Sequence, residues 1–286
     1  MSNLKRINRR IKTAKNISKI TRAMEMVAAS KMRRAQDRAL SSRPYTERLH
    51  QILSSLQGRV DPKLHPLLQD KPQGKTMIIL LTTDKGLCGP YNSNLFRSLE
   101  TWVTAKNDLD INFVAVGKRG SAYLVKTERQ LVADFPAFAD RFAYEDTLTI
   151  SQMALDGFLT GDIKEVWLGY MRFVNTLTQQ PHFTKLLPIT HLFDQADTSP
   201  GEYLFEPSTE AILNWLLPYY VELQIYQAVL NALASEHSAR MVTMKSAHDN
   251  ATDIVSGLTL DYNRARQSKI TNELLDVITA RTALGE

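Results

Sequence analysis

Residues 219–284 read YYVELQIYQAVLNALASEHSARMVTMKSAHDNATDIVSGLTLDYNRARQSKITNELLDVITARTAL, with no proline and with Gly257 as the one glycine. Apolar side chains and two histidines recur there in steps of three and four residues for more than five heptads. Such a stripe is typical of a coiled-coil seam, so we predict one long helix that packs against another helix. The stripe consists of Tyr226, Leu230, Leu233, His237, Met241, Met244, His248, Ala251, Val255, Leu258, Tyr262 and Ala265.

The N-terminal segment has the same character. Residues 3–57 contain no glycine and one proline, Pro44, and one narrow apolar stripe runs along the predicted helix. The whole chain has a net charge of +5, yet residues 1–40 hold 12 basic and 2 acidic residues, so the remainder is net negative. The stripe consists of Leu4, Ile7, Ile11, Ala14, Ile17, Ile20, Met24 and Val27.

Length decides how these two helices are arranged. A helix of 66 residues at ~1.5 Å per residue is roughly 100 Å long. A single compact globule of 286 residues would be only ~50 Å across. Because each helix has a single apolar stripe, we expect the two to pack antiparallel as a projecting coiled coil.

The middle of the chain alternates strands and helices, which predicts a parallel sheet in an open α/β layer fold. The fold class is therefore α/β plus a long antiparallel coiled coil, with the terminal helices paired around a central, open, Rossmann-like parallel-sheet domain. Predicted strands are Thr76–Thr83, Ile111–Val116 and Val166–Phe173, and predicted helices are Asn92–Lys106, Arg119–Thr127 and Asp146–Thr160. The predicted divisions are an N-terminal helix (1–57), a linker (58–74), the α/β domain (75–195), a connecting segment (196–218) and a C-terminal helix (219–286).

Two glycine-containing turns are candidates for a phosphate site. The triplet Gly74-Lys75-Thr76 resembles the end of a phosphate-binding loop, but it precedes a strand and position 69 is Gln69, where the motif needs glycine. The run from Gly117 to Gly120 follows the second predicted strand, where open sheets bind ligands. It lacks the dinucleotide fingerprint, so we interpret it as a tight strand-to-helix turn.

Other chemistry is equally sparse. Cys88 is the single cysteine, so it forms no intrachain disulfide, and we interpret it as a small residue packed in a turn. His237 and His248 share a helix face but lie too far apart to bind one metal, so we interpret them as seam or partner contacts. The longest apolar run, 77–81, is far short of the ~20 residues that span a bilayer. We expect no catalytic residue, no cofactor, no metal and no direct nucleotide binding.

One run does stand out between the first strand and the first helix of the middle region. Residues 82–95 read TTDKGLCGPYNSNL, in which Gly86 and Gly89 give the backbone freedom to turn and Asn92 or Ser93 is expected to cap the helix. This run resembles the signature of the gamma subunit of F-type ATP synthases. Four further runs are similar to other signatures of that family, in the same order and at the same spacing. They are ITRAMEMVAASKMRRAQ (20–36), SRPY (42–45), SEHSARMVTMKSAHDNA (235–251) and YNRARQSKITNEL (262–274).

The resemblance implies a function for the predicted stalk. In that family the gamma subunit of bacterial enzymes is the central rotor shaft, surrounded by three alpha and three beta subunits, and it contacts the epsilon subunit and the c-ring. It couples proton flow through the ring to conformational cycling of the catalytic beta subunits for ATP synthesis or hydrolysis. It reaches the cytoplasmic face of the bacterial inner membrane only through the complex.

The motifs also imply residue roles. Three departures from the family pattern are Pro90 in place of a glycine, a tail (Thr279–Glu286) that carries Arg281, and the absence of a cysteine-bearing redox insertion. Contacts with beta or alpha and torque are implied for Arg22, Met24, Arg240, Arg266, Gln267, Thr271 and Glu273. Contacts with epsilon and the c-ring are implied for Tyr203, Phe205 and Glu206. The signature turn consists of Asp84, Gly86, Leu87, Cys88, Gly89 and Asn92.

The same residues allow three alternative interpretations. Each implied torque residue can also be interpreted as an ordinary exposed stalk charge, worth ~1 kcal/mol or less. A basic N-terminal helix can instead bind nucleic acid, but residues 1–44 contain no aromatic residue and no recognised reader motif. A nucleotide-using α/β enzyme with a coiled-coil arm lacks a phosphate loop.

Overall fold

A computed structural model describes residues 3–55, 65–106, 110–189 and 208–283. Along the sequence, a long helix precedes and another follows a region of alternating strands and helices, which confirms the predicted fold class. The elements are α1 (Asn3–Ser55), β1 (Lys75–Leu81), α2 (Tyr91–Lys106), β2 (Ile111–Val116), α3 (Lys118–Lys126), β3 (Leu131–Phe135), α4 (Glu145–Thr160), β4 (Ile163–Phe173), β5 (Gln179–Leu187) and α5 (Thr209–Ala283).

The sheet has the order β3-β2-β1-β4-β5. Strands β1 to β4 are mutually parallel, as predicted, and β5 adds an antiparallel edge to β4. The sequence did not indicate β3, which is only five residues long, or β5, which contains Pro181. Proline lacks a backbone N–H and is tolerated at the edge of a sheet, so its presence does not exclude a strand.

Strand β1 lies in the middle of the sheet and is apolar on both faces. Ile78 and Leu80 pack with α2 and α3 on one face. Ile79 and Leu81 pack on the other face with α4 and with segments of α1 and α5. This two-sided burial explains why the strand reads as a continuous apolar run.

Helix α5 begins at Thr209, earlier than the predicted Tyr219, and contains Pro218. Leu213, Leu216 and Leu217 are buried before and beside this proline, so packing outweighs the hydrogen bond that proline removes. The predicted linker also contributes to the core, because a short 3₁₀ turn at Pro66–Leu68 buries two leucines.

The chain forms two compact units, a terminal unit (Met1–Ala28 with Met241–Glu286) and a central unit (Ala29–Arg240). In the terminal unit, α1 and α5 pack through His248, whose Nδ1 lies 2.9 Å from the carbonyl oxygen of Ser18. Ser18 Oγ also lies 3.3 Å from Thr252 Oγ1. The predicted interpretation of His248 as a seam contact is therefore confirmed.

In the terminal unit, the predicted apolar stripe of α5 is buried or half-buried as expected, but that of α1 is only partly so. Along α5, the predicted positions from Met241 to Ala265 are buried or half-buried. Along α1 the prediction is wrong for Ile17, Ile20 and Val27, which are exposed, while Thr21 and Ala28 are buried in their place. The exposed positions and the buried ones both have helical spacing. The smaller side chains of Thr21 and Ala28 allow the two helices to approach more closely.

The sheet core predicts a sharp contrast between two leucines. Leu168 in β4 is fully buried and Leu159 in α4 is about half exposed. Leu168→Ala should lower the free energy of unfolding by about 2–5 kcal/mol, because it leaves a cavity between packed layers. Leu159→Ala should cost less than ~1 kcal/mol. Urea unfolding followed by tryptophan fluorescence measures both, and equal losses would contradict the assigned strand β4.

Candidate functional site

The candidate functional site lies at the carboxyl ends of β1 and β2, where an open α/β sheet usually binds its ligand. The first three backbone N–H groups of α3 point to this edge. They donate to the hydroxyl of Thr82 at 2.8 Å, the carbonyl of Thr83 at 3.1 Å and the carboxylate of Asp84 at 2.9 Å. These protein atoms occupy the position at which a helix N-terminus would hold a phosphate.

The turn before α3 is built for this contact. Gly117 has φ +100°, and a Cβ placed there would lie 2.4 Å from the carbonyl oxygen of Thr82. A Cβ on Gly120 would lie 2.7 Å from the Thr82 hydroxyl oxygen. The interpretation of Gly117 to Gly120 as a tight strand-to-helix turn is confirmed. Gly74-Lys75-Thr76 leads into β1 at the opposite edge of the sheet.

The signature turn follows β1 at the same carboxyl edge. Asn92 was predicted as a possible cap of α2, and this is wrong: its amide donates 2.8 Å to the Thr83 hydroxyl and lies 3.8 Å from Cys88 Sγ. Cys88 is buried, and burial raises the pKa of its thiol. Leu87 is exposed and has φ +63°, in the left-handed region that leucine rarely adopts. Pro90 accepts a hydrogen bond of 2.8 Å from Asn94 and leads directly into α2.

Arg240 of α5 holds this strained turn in place. Its residue surface is only 9% exposed. Its Nη2 donates to the carbonyls of Lys85 and Gly86, at 3.5 and 3.4 Å, and Nε also reaches the Gly86 carbonyl at 3.4 Å. The same Nη2 lies 2.7 Å from the Glu236 carboxylate one turn earlier. The structure therefore places Arg240 inside the chain, against the signature turn.

Burial sets the electrostatics of this cluster. Desolvation raises the pKa of Glu236, and the charge of Arg240 opposes the rise. Arg240 Nη1 lies 3.2 Å from His237 Nδ1, and because a guanidinium only donates, that nitrogen is the acceptor. Burial lowers the pKa of His237 to about 4, so its ring is neutral at physiological pH. His237 is thus a buried contact of α5, consistent with its interpretation as a seam residue.

Helix α5 fills the crevice at the carboxyl edge of the sheet. The Tyr91 hydroxyl of α2 donates 3.1 Å to the carbonyl of Ala232, and Ser238 donates 2.6 Å to the carbonyl of Thr176 after β4. The cavity left beside Thr82, Tyr91 and Glu236 has a volume of about 20 Å³, enough for a single water. The position that a nucleotide takes in related sheets is therefore filled by the chain itself.

The remaining predicted site residues lie elsewhere. Arg22 is exposed and pairs with Glu25 at 2.9 Å, and Met24 is half-buried. Glu273 pairs with Lys269 at 3.2 Å. Arg266, Gln267, Thr271 and Glu273 are all exposed on α5. Tyr203, Phe205 and Glu206 lie outside the described residues.

Across the described part of the chain, no group of three or more histidine, cysteine, aspartate or glutamate side chains is arranged to hold a metal ion. Within those same ranges, no helix combines the length and apolarity required to cross a membrane. The fold and site define a class of proteins with two long helices and an α/β domain whose ligand crevice is filled by the protein's own helix.

Comparisons with known proteins identify the family. The profile of the ATP synthase family matches residues 3–284. The ATP synthase gamma chain of Dehalococcoides mccartyi is 42% identical over 99% of this chain and 100% of its own length. The gamma chain of Roseiflexus sp. is 43% identical over all of both chains. The chain belongs to the ATP synthase gamma chain family.

Solved structures share the fold. A chain of the Tetrahymena thermophila mitochondrial ATP synthase central stalk and c-ring is 25% identical, with a TM-score of 0.59, over 80% of this chain and 99% of that one. A chain of the Euglena gracilis mitochondrial ATP synthase, in an assembly of OSCP, F1 and c-ring, is 18% identical. Its TM-score is 0.67 over 98% of this chain and 94% of that one.

The buried ion pair of Arg240 gives a test of the site. Arg240→Met should lower the free energy of unfolding by about 3–5 kcal/mol, because it leaves Glu236 buried without its partner. Replacing both residues with methionine should recover part of that loss. As the control, Lys75→Met breaks an exposed pair with Asp110 and should cost ~1 kcal/mol or less. Urea unfolding of the purified chain measures each variant, and equal costs for Arg240→Met and Lys75→Met would disprove the role of Arg240.

Proposed function

We propose that the chain is the central rotor shaft of an F-type ATP synthase and has no active site of its own. It couples proton flow through the membrane ring to conformational cycling of the catalytic beta subunits. A shaft acts on a partner only through contacts that differ between the states of that partner. The observation that carries the proposal is the exposed apolar end of α5.

Beyond Ala265, every described side chain of α5 is exposed. Five large apolar residues in this segment have between 47% and 65% of their surface exposed. Ser18 of α1 lies beside His248 and Thr252 of α5, and the two helices run antiparallel. In this register the first residues of α1 lie beside residue 265 of α5, so α1 does not cover the part of α5 beyond it. An exposed apolar surface of this extent marks a protein partner. The five residues are Ile270, Leu274, Leu275, Val277 and Ile278.

The occupant that we propose for this surface is the ring of three alpha and three beta subunits. Arg266, Gln267, Thr271 and Glu273 lie in the same exposed segment and would meet that ring together with the apolar side chains. On α1, the exposed Arg22 and the half-buried Met24 adjoin the exposed Ile20 and Val27, which would widen the contact. Exposed basic residues here would attract acidic lever segments of beta.

Two further assignments belong to the same proposal. Tyr203, Phe205 and Glu206 would contact the epsilon subunit and the c-ring. The chain would be a peripheral subunit at the cytoplasmic face of a bacterial inner membrane, held there by the complex. The family resemblance of these residues supports both assignments.

Replacement of Arg266 and Gln267 by alanine tests the proposed contact. If each contact contributes ~1 kcal/mol to the driving step, the double variant should lower ATP-driven turnover of the assembled complex by roughly thirtyfold. Assembly should be largely retained, because the apolar surface remains. Arg264→Ala, at an exposed arginine of α5 that lies just before this segment, is the control.

Co-expression with alpha and beta subunits supplies both readouts, ATPase turnover and subunit ratio. Unchanged turnover in the double variant would mean that these two contacts are incidental. A ratio of one gamma for each beta would overturn the rotor assignment.

A further inference from the structure

The loop between β3 and α4 contacts the sheet and both long helices within the central unit. We call residues 136–144 the clamp loop. Its Ala137 N–H donates 3.3 Å to the Asp84 carboxylate at the edge of the sheet. Arg38 of α1 donates 3.1 Å to the carbonyl of Phe142. Near the other end of the loop, the Tyr144 hydroxyl bonds to Glu222 of α5.

Asp140 stands at the centre of the clamp loop and bridges the two helices. Its Oδ2 lies 2.6 Å from Lys31 Nζ on α1, and its Oδ1 lies 2.9 Å from His237 Nε2 on α5. Since His237 Nδ1 accepts from Arg240, Nε2 carries the proton and donates it to Asp140. One carboxylate therefore uses a different oxygen for each helix.

The charge state of Asp140 suits this role. Partial burial alone would raise the pKa of the carboxyl group, but the hydrogen bonds from Lys31 and His237, together with the charge of Lys31, outweigh it and lower that pKa. The carboxylate is ionised at physiological pH. From α1 to the signature turn, a continuous chain of polar contacts runs through Lys31, Asp140, His237, Arg240 and the Gly86 carbonyl.

Apolar packing lies beneath these contacts. Phe142 is buried, and its ring centre lies 5.4 Å from that of Tyr226 and 5.2 Å from that of Phe138. Hydrophobic contacts are non-directional and permit one helix to rotate or slide against another. Directional hydrogen bonds and ion pairs between helices are the contacts that specify register.

We propose, on the basis of the rotor function above, that Asp140 is a positioning residue of the shaft. Through Lys31 and His237 it fixes the central-unit segments of α1 and α5 to the sheet, so that a twist applied to the sheet domain reaches both helices without slippage. Asp140 touches no reacting group and acts through these two side chains.

The test is the torsional stiffness of the assembled complex. A bead attached at Lys126→Cys, on the exposed end of α3, reports the angle of the sheet domain while immobilised alpha and beta subunits hold the shaft. The native Cys88 is buried and does not compete for the label. Stiffness follows from the variance of the bead angle during pauses, so it is recorded only on complexes that have assembled.

Asp140→Ala should increase this variance by roughly twofold, because one shared attachment of two helices is lost. Lys31→Met should also increase it, whereas Lys31→Arg keeps the ion pair and should retain the stiffness of the unsubstituted chain. Asp110→Asn is the matched control, since it breaks an ion pair with Lys75 at the sheet alone. If the Asp140→Ala variant fails to assemble, the comparison of the bead-angle variance between Lys31→Met and Lys31→Arg still tests the proposal.

Unchanged variance in Asp140→Ala, or equal variance in Lys31→Met and Lys31→Arg, would overturn the proposal. Failure of the proposed function looks different. In that case a bead on the unsubstituted chain would not rotate at all when ATP is hydrolysed. If the unsubstituted complex rotates and every variant keeps normal stiffness, the role of Asp140 is disproved and the rotor function is not.

Discussion

The guanidinium of Arg240 is a buried charge, and burial of a charge is unfavourable unless every donor finds an acceptor. Its partners come from two places: Glu236 and His237 on its own helix, and the carbonyls of Lys85 and Gly86 in the signature turn. These bonds fix α5 across the carboxyl edge of the sheet. They also hold the turn that places Leu87 in a left-handed conformation.

That contact changes what the fold can do. Open α/β sheets bind ligands in the crevice beyond the carboxyl ends of their strands. Here α5 lies in that crevice, and Thr82, Thr83 and Asp84 satisfy the N-terminal N–H groups of α3. The same fold thus serves as an attachment for long helices rather than as a nucleotide site, which illustrates that function depends on the site and not on the fold.

The sequence predicted the long helices and the parallel strands well because their signals are local: glycine and proline are sparse in α5, and β1 is continuously apolar. It did not indicate β5, where packing at an edge tolerates Pro181, or the seam through Thr21 and Ala28, where close approach favours small residues over larger apolar ones. It identified Arg240 by motif but not its buried partners. Asp140 was missed entirely, because its contacts join residues about 100 positions apart.

The role of this chain is mechanical: it turns inside its partners and performs no chemistry. The most direct measurement follows a bead attached to the chain in a complex whose alpha and beta subunits are fixed to a surface. We expect continuous rotation in one direction while ATP is hydrolysed, and none without ATP. A bead that stays at one angle, or only fluctuates about it, while the complex hydrolyses ATP at its full rate would contradict the rotor role of this chain.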